Sequence, residues 1–471
     1  MPLPVISVVQ MREWERATWA TGRTEENVIV RVGEVLARYV LKVSRADDSI
    51  LVLAGKGHNG DDARAMVAHL KDRYVHCIQV SEPRAAVPSV TEALQRRPRW
   101  IVDGLFGIGL NRQLDAPWCE LLNRVNEAQL DVLAVDVPSG LDAETGRPLP
   151  TALHAAVTVT VGAPKRGFFS ADAADYVGHI EVAAEVGLIP CPLSSEIQWS
   201  VPEDFTAFPP RRPVAGHKGT FGHAMIIAGS LGYHGASVLS ARGTQRARPG
   251  LVTLLTQPDI YNAVAAQLQA VMVHPWREDR DFSKATAILF GPGLAAPALP
   301  VSVRKSVQHF WAEHEGPVIA DASALDWLPR CDKTAGNCRV ITPHPGEAAR
   351  LLESSTARVE SDRLAAVRAL SKCFGGCWVV LKGQHTLIGR AEGGVFVNGS
   401  GNSGLAQGGT GDLLAGYLTG LLAQPSVQNK PLDAIRFAVW EHGAAAERLS
   451  AKRENWTVEE LADELGRQRP S

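Results

Sequence analysis

The stretch LAQGGTGDLLAG, Leu405 to Gly416, places Gly408, Gly409 and Gly411 around one acid, Asp412, at the head of an apolar helical run. Glycine turns tightly and leaves its N–H groups uncovered. A helix start adds unpaired donors and a partial positive charge. Together they suit an anion such as phosphate. An acid there opposes phosphate, so two readings stand: Asp412 is a base acting on a hydroxyl that is being phosphorylated, or it caps the helix.

Other polar groups recur after apolar runs in the same half of the chain. VVLKGQHTLIG offers Lys382, Gly383 and Thr386. ITPHPGEAARLL sets His344 between prolines, which keep its backbone out of helix. FGPGL, Phe290 to Leu294, is a tight turn, and Gly235–Ala236 open a helix after a Gly-rich loop. A lone histidine or a GPG turn has an ordinary structural explanation. The informative feature is their recurrence at strand ends, with the anion loop last.

The first half carries a different set. In LVLAGKGHNGDDARAMVAHL, Gly55, Gly57 and Gly60 match GxGxxG between a strand and a helix. Asp61 and Asp62 then open the helix and would repel a pyrophosphate, and GxxxxGK[ST] is absent. Asn59, Asp103 and Ser139 each follow a predicted strand, as does Asp136. An amide, a carboxylate and a hydroxyl suit a hard cation. Asp103 as a turn cap and Ser139 as a turn residue are the structural alternatives.

Two blocks must position these groups. From about Ser49 to Val186, β-branched runs such as SILVLAG, RWIVDG and DVLAVDVPSG alternate with helical stretches. The pattern dissolves between Pro190 and Thr220, where FPPRRP marks a linker. HAMIIAGS, LVTLLT, TAILFGPG, PVIADAS, RVITPHPGE and CWVVLKG then restart the alternation, and TLIG with GVFVN reads as a hairpin near the sheet edge. Both blocks are therefore α/β, with parallel sheets whose C-terminal strand edges bind ligands.

The totals agree with an ordinary globular protein. The chain has 471 residues, 45% of them apolar, and 48 Lys+Arg balance 50 Asp+Glu. That balance gives no electrostatic footprint for nucleic acid or an anionic membrane. The seven cysteines are scattered, and Cys373 and Cys377 read as core thiols of a reducing compartment. The N-terminus lacks a signal-peptide pattern, and no apolar run has membrane-spanning length. A soluble cytoplasmic homo-oligomer with small-molecule partners is expected.

GxGxNGxD, DGLFGxGL and DVPSGLDAxTG together resemble the epimerase domain of the NAD(P)H-hydrate repair enzymes. GSxxxxGA, GPG, TPHPGE, KGxxT and GGTGD, in that order, resemble their ADP/ATP-dependent dehydratase domain. The resemblance implies a Rossmann-like three-layer domain over residues 1–212 and a ribokinase-like three-layer domain over residues 213–471. It implies epimerisation of the R and S hydrates, NAD(P)HX, and dehydration of the S form at the expense of ADP or ATP. Asn59, Asp103 and Ser139 would hold K+. His58, Asn59, Gly60, Asp61, Asp62, Gly107, Ile108, Gly109, Leu110, Asn111, Arg112 and Gln113 would contact the epimerase substrate, with Asp136 at the reacting ring. Ala236, Gly293, His344 and Asp412 would contact the hydrate being dehydrated. Lys382, Gly383, Gln384, His385, Thr386 and Gly411 would contact the nucleotide, with Mg2+ on its phosphates, and Asp412 would be the base. The chain departs from the family pattern at His58, Asp61, Val30–Arg31 and Gln407. A small-molecule kinase carrying a non-catalytic N-terminal binding module is the alternative.

Overall fold

The computed structural model describes residues 2–297, 299–332 and 338–467; the ends of the expected ranges at Met1 and Ser471 lie outside them. The chain divides into two compact units, Leu3–Ile197 and, apart from the first two residues, Gln198–Ser471.

In the first unit the strands β1 (Ser49–Ala54), β2 (Tyr74–Gln79), β3 (Trp100–Gly104), β4 (Val132–Val135), β5 (Val157–Val161) and β6 (His179–Ala183) form one sheet in the order β2-β1-β3-β4-β5-β6. Every pairing is parallel. Ile50 and Val52 pack on one face with Val32, Leu36 and Val40 of α1 (Glu25–Val43) and Ala63 and Met66 of α2 (His58–Val67). Leu51 and Leu53 pack on the other with Val90 of α3 (Pro83–Gln95) and Leu121 and Val125 of α4 (Ala116–Glu127). A strand covered on both faces has no polar side, which is why its sequence is a continuous apolar run. Truncating such a residue, Leu53→Ala for example, costs about 2–5 kcal/mol. The register pairs Leu53 with Asp103 and Asp103 with Ala134, so the loops after β1, β3 and β4 open on one edge.

The second unit's sheet is built from β7 (His223–Ile227), β8 (Leu251–Thr256), β9 (Met272–Pro275), β10 (Ala287–Phe290), β11 (Val318–Ala320), β12 (Arg339–Ile341), β13 (Trp378–Leu381), β14 (Leu387–Gly389) and β15 (Val395–Asn398). Their order is β15-β14-β13-β12-β11-β10-β7-β8-β9. The pairings from β9 to β13 are parallel, and β13–β14 and β14–β15 are antiparallel, which gives the expected hairpin. Part of the stretch read as a linker is structured: Ile197–Ser200 is a strand next to β15, and Phe205 is buried. Its Pro-rich surroundings hid a run too short to show a period.

Two helices of the second unit pack tightly on each other, α5 (His234–Arg246) and the apolar α7 (Thr410–Leu422). A Cβ at Gly416 would stand 2.0 Å from Ser240 O, and one at Gly243 would stand 2.2 Å from Leu413 O. Only glycine permits that approach, and Thr244 Oγ1 ties it by donating to Gly416 O at 2.9 Å. Among the described residues no helix is long and apolar enough to cross a membrane.

Candidate functional sites

In the first unit, β1 turns into α2 through Gly55–Gly57, and Gly60 is forced by packing: a Cβ there would lie 2.1 Å from Gly55 O. Beside this turn is a cavity of about 690 Å³. Its wall includes His58, Asn59, Asp62, Gly107, Ile108, Gly109, Leu110, Asn111, Arg112 and Asp136. Three expected residues are not on that wall. Gly60 is buried behind it, Asp61 turns away to pair with Arg64 at 2.6 Å, and Gln113 is exposed beyond it. The helical phase explains Asp61: positions 58, 59 and 62 share a face that position 61 leaves.

Asn59, Asp103 and Ser139 do meet. Asp103 is fully buried; its Oδ2 accepts from Ser139 N at 2.7 Å and its Oδ1 from Ser139 Oγ at 2.6 Å. Burial pushes its carboxyl up to about 6 against those hydrogen bonds. Asn59 Nδ2 donates to Phe106 O at 2.7 Å and to Val135 O at 2.9 Å. Two carbonyls thus converge beside a buried carboxylate. A half-turn of the Asn59 amide would present its oxygen to the same point.

Asp136 follows β4 in the left-handed region, at φ 62°. Its Oδ1 accepts from Lys165 Nζ at 2.5 Å, Val161 N at 3.1 Å and Thr160 Oγ1 at 3.2 Å. The fully buried Lys165 also donates to Thr160 Oγ1 and Val161 O, both at 2.8 Å. Gly107 keeps the other carboxylate oxygen accessible: a Cβ there would stand 3.4 Å from Asp136 Oδ2 and 3.1 Å from Asn59 Oδ1. Burial, then the Asp136 charge, raises the carboxyls of Asp62 and of Glu15, which also line the cavity. Neither Lys165 nor Glu15 stands out in the sequence; a lone lysine four residues past β5 was the only signal for the first.

The second unit's site lies where strand order reverses, β7 having β8 on one side and β10 on the other. Gly293, at φ 66°, packs on the start of α5: a Cβ there would meet Tyr233 O at 2.5 Å and Ala236 Cβ at 2.9 Å. Ser230 Oγ fixes this turn by donating to Gly293 O at 2.6 Å and accepting from Ala296 N at 3.0 Å. On the neighbouring helix, Gly409 takes φ 94° as the N-cap of α7, with Leu239 of α5 against it. Gly408 faces open space.

Asp412, in the first turn of α7, has its carboxyl pushed up to about 7. Burial is the largest cause; Asp321 and Glu347 add to it, and Lys382 opposes it. Lys382 Nζ lies 3.0 Å from Asp321 Oδ1 and 3.9 Å from Glu347 Oε2. Burial works against the ammonium, but those carboxylates and Asp412 outweigh it and hold the group above its ordinary range. His344 caps α6 (Pro345–Leu351): its Nδ1 accepts from Gly346 N at 3.1 Å and Glu347 N at 3.3 Å, and its own N–H donates to Glu347 Oε2 at 2.8 Å. With Nδ1 engaged as an acceptor, the neutral ring carries its proton on Nε2.

The Gly383–Thr386 loop follows β13. Gly383 takes φ 132° and His385 φ 52°; Thr386 Oγ1 donates to Gly383 O at 3.1 Å, and His385 packs on Trp199 at 5.7 Å between ring centres. Arg363 staples the loop by donating to Gln384 O at 2.5 Å and Leu381 O at 3.2 Å. Asp321, Glu347, Thr342, Arg363 and the buried His442 all support this site without having been singled out from the sequence. PVIADAS and TPHPGE carried the signal for two of them, an acid just past a strand end (Asp321) and an acid in the first turn of the helix that follows one (Glu347).

Residues 224–470 match a family model described as NAD(P)H-hydrate dehydratase, and residues 73–167 match one described as YjeF-related protein N-terminus. A bifunctional NAD(P)H-hydrate repair enzyme of Coxiella burnetii is 32% identical over 94% of each chain. One from Escherichia coli is 32% identical over 94% of this chain and 89% of its own. The ADP/ATP-dependent NAD(P)H-hydrate dehydratase of Bacillus subtilis, crystallised with ATP and Mg2+, superposes with a TM-score of 0.51 at 31% identity, covering 57% of this chain and 95% of that one.

Proposed function

The chain belongs to the bifunctional NAD(P)H-hydrate repair enzymes, and from that premise we propose which residues carry its two reactions. It is an epimerase and a dehydratase, a Rossmann-like unit followed by a ribokinase-like one. Residues 1–212 are assigned to epimerisation and 213–471 to dehydration, with the stretch from Gln198 to Arg212 packing on the second unit.

In the dehydratase unit, the Gly408–Gly411 loop and the start of α7 hold the phosphoryl group being transferred from ADP or ATP. Asp412 takes the proton of the attacking C6 hydroxyl; phosphate then leaves C6 in place of hydroxide with the bonding pair, a proton is lost from C5, and the C5=C6 double bond of NAD(P)H forms. Lys382, Gly383, Gln384, His385, Thr386 and Gly411 contact the nucleotide, whose phosphates carry Mg2+. Ala236, Gly293 and His344 hold the hydrate. The supporting observation is that Asp412 stands at an anion-binding helix start with its carboxyl held near 7, where a base can both take and release a proton. A titration of separated R and S hydrates with ADP and with ATP, following NADH absorbance, tests the reading. It stands if the full chain consumes the S form directly and the R form by way of S, if Asp103→Ala protein consumes the S form alone, and if Asp412→Asn abolishes dehydration; a stable phosphate ester as product would overturn it.

In the epimerase unit, Asp136 faces the reacting ring, in a cavity walled by His58, Asn59, Asp62 and the 107–112 loop. Asn59, Asp103 and Ser139 hold K+, which helps to orient the substrate's pyrophosphate. The donor set fits: Phe106 O, Val135 O and one buried carboxylate converge there, and a single formal charge suits a large monovalent ion better than a divalent one. The cysteines are all free, which supports a reducing compartment, the cytoplasm.

A further inference from the structure

Asp321 follows β11 and is 2% exposed. Its Oδ1 accepts from Thr342 Oγ1 at 2.7 Å and from Lys382 Nζ at 3.0 Å. The lysine in turn stands against the anion loop, since a Cβ at Gly411 would lie 3.4 Å from its Nζ. Glu347 is the more distant partner at 3.9 Å, and its Oε2 is already committed to His344 N. Asp321 is therefore the carboxylate that fixes where the ammonium sits.

We propose that Asp321 is the positioning residue of the dehydratase site: it holds the Lys382 ammonium against the Gly408–Gly411 loop and sets the field in which Asp412 takes its proton. The inference rests on Asp412 as the base. Two requirements meet there. A lysine beside a phosphate must stay charged, and a base beside that lysine must keep a proton affinity near neutral. Alone, Lys382 would pull the Asp412 carboxyl down and leave it a poor base. Asp321 resolves the conflict by neutralising the ammonium from behind while adding a negative charge of its own.

The charged groups facing Asp412 are Asp321 after β11, Glu347 on α6 and Lys382 after β13. His442, on the helix α8 (Pro431–Ser450), lies near Lys382, but burial holds its imidazole down at about 4, so it is neutral. After burial, Asp321 is the largest influence raising Asp412, ahead of the opposing lysine. Asp321 acts on the reaction only through its two neighbours, which makes it a positioning group.

The test uses the full chain, the S hydrate and the nucleotide. Asp321→Asn keeps the side-chain shape and removes the charge. The acidic limb of kcat against pH should move down by about one unit, and the KM for nucleotide should rise by roughly tenfold as Lys382 loses its close partner. In a Lys382→Met background, adding Asp321→Asn should raise the nucleotide KM no further, because that effect runs through the lysine, while the acidic limb still moves down through the direct action of Asp321 on Asp412. If Asp321→Asn does not fold, Thr342→Val carries the test, with a rise of about threefold in nucleotide KM expected from the lost hydrogen bond. A wild-type limb and KM in Asp321→Asn, an additive rise in KM in the double variant, or an unchanged KM in Thr342→Val would each overturn the proposal. Turnover surviving Asp412→Asn would instead remove the base assignment on which it rests.

Discussion

Lys165 Nζ lies 2.5 Å from Asp136 Oδ1, with the lysine fully buried and the aspartate in a left-handed backbone conformation. The lysine ties the strained residue to β5 through Thr160 and Val161, leaving only the second carboxylate oxygen toward the cavity. Orientation of Asp136 thus depends on a residue that does not line the cavity.

Lys165→Met should reduce epimerisation at least about tenfold and leave S-hydrate dehydration intact. Removing one partner of a buried pair costs about 3–5 kcal/mol, so the unfolding midpoint of the first unit should drop as well. Equal losses in both activities, measured on folded protein with separated hydrates, would contradict this.

Asp412→Asn should lower dehydration by roughly 10²–10⁴, the usual contribution of a general base, and leave nucleotide affinity nearly unchanged. Calorimetric titration with nucleotide beside the NADH assay separates the two effects. Near-normal turnover would return Asp412 to the role of helix cap.

Dehydration should rise with pH through about 7, as Asp412 loses its proton. The same group destabilises the fold in that range. Its folded carboxyl titrates near 7 and its unfolded one near 3.8, so the unfolded chain sheds the proton first and stability falls as pH rises between the two. Asp412→Asn should therefore melt higher than wild type at pH 8, with the gap closing toward pH 4. A gap that is independent of pH would contradict the assignment.

Asp103→Ala should abolish K+-dependent epimerisation while S-hydrate dehydration continues. Wild-type epimerisation should survive EDTA and fail when Na+ replaces K+. Crystals soaked in rubidium should show an anomalous peak among Asn59, Asp103 and Ser139. A site that stays empty, or that holds zinc, would remove the assignment.

The strands were legible because burial on both faces leaves apolar runs such as SILVLA and AILF, and the glycine turns after them marked the ligand edge. Partnerships across the sheet were not. Lys165 and Asp136 are 29 residues apart, and Lys382 and Asp321 are 61 apart; the order of the strands they follow brings each pair to one sheet edge. Asp61 and Gln113 failed to reach the cavity wall for a local reason, since a motif names consecutive residues while a helix or loop shows only some of them to one side.

The contact of α5 with α7 has a consequence for how the dehydratase tolerates change. Gly416 lies one helical turn behind Asp412, and Gly243 meets the same helix at Leu413. A methyl group at either glycine must push α7 away, and a rigid helix transmits that push to its own tip. Mutational scanning should therefore find an apolar interior that resists alanine as strictly as the Gly408–Gly411 loop does. The placing of Asp412 is written into a seam between two helices.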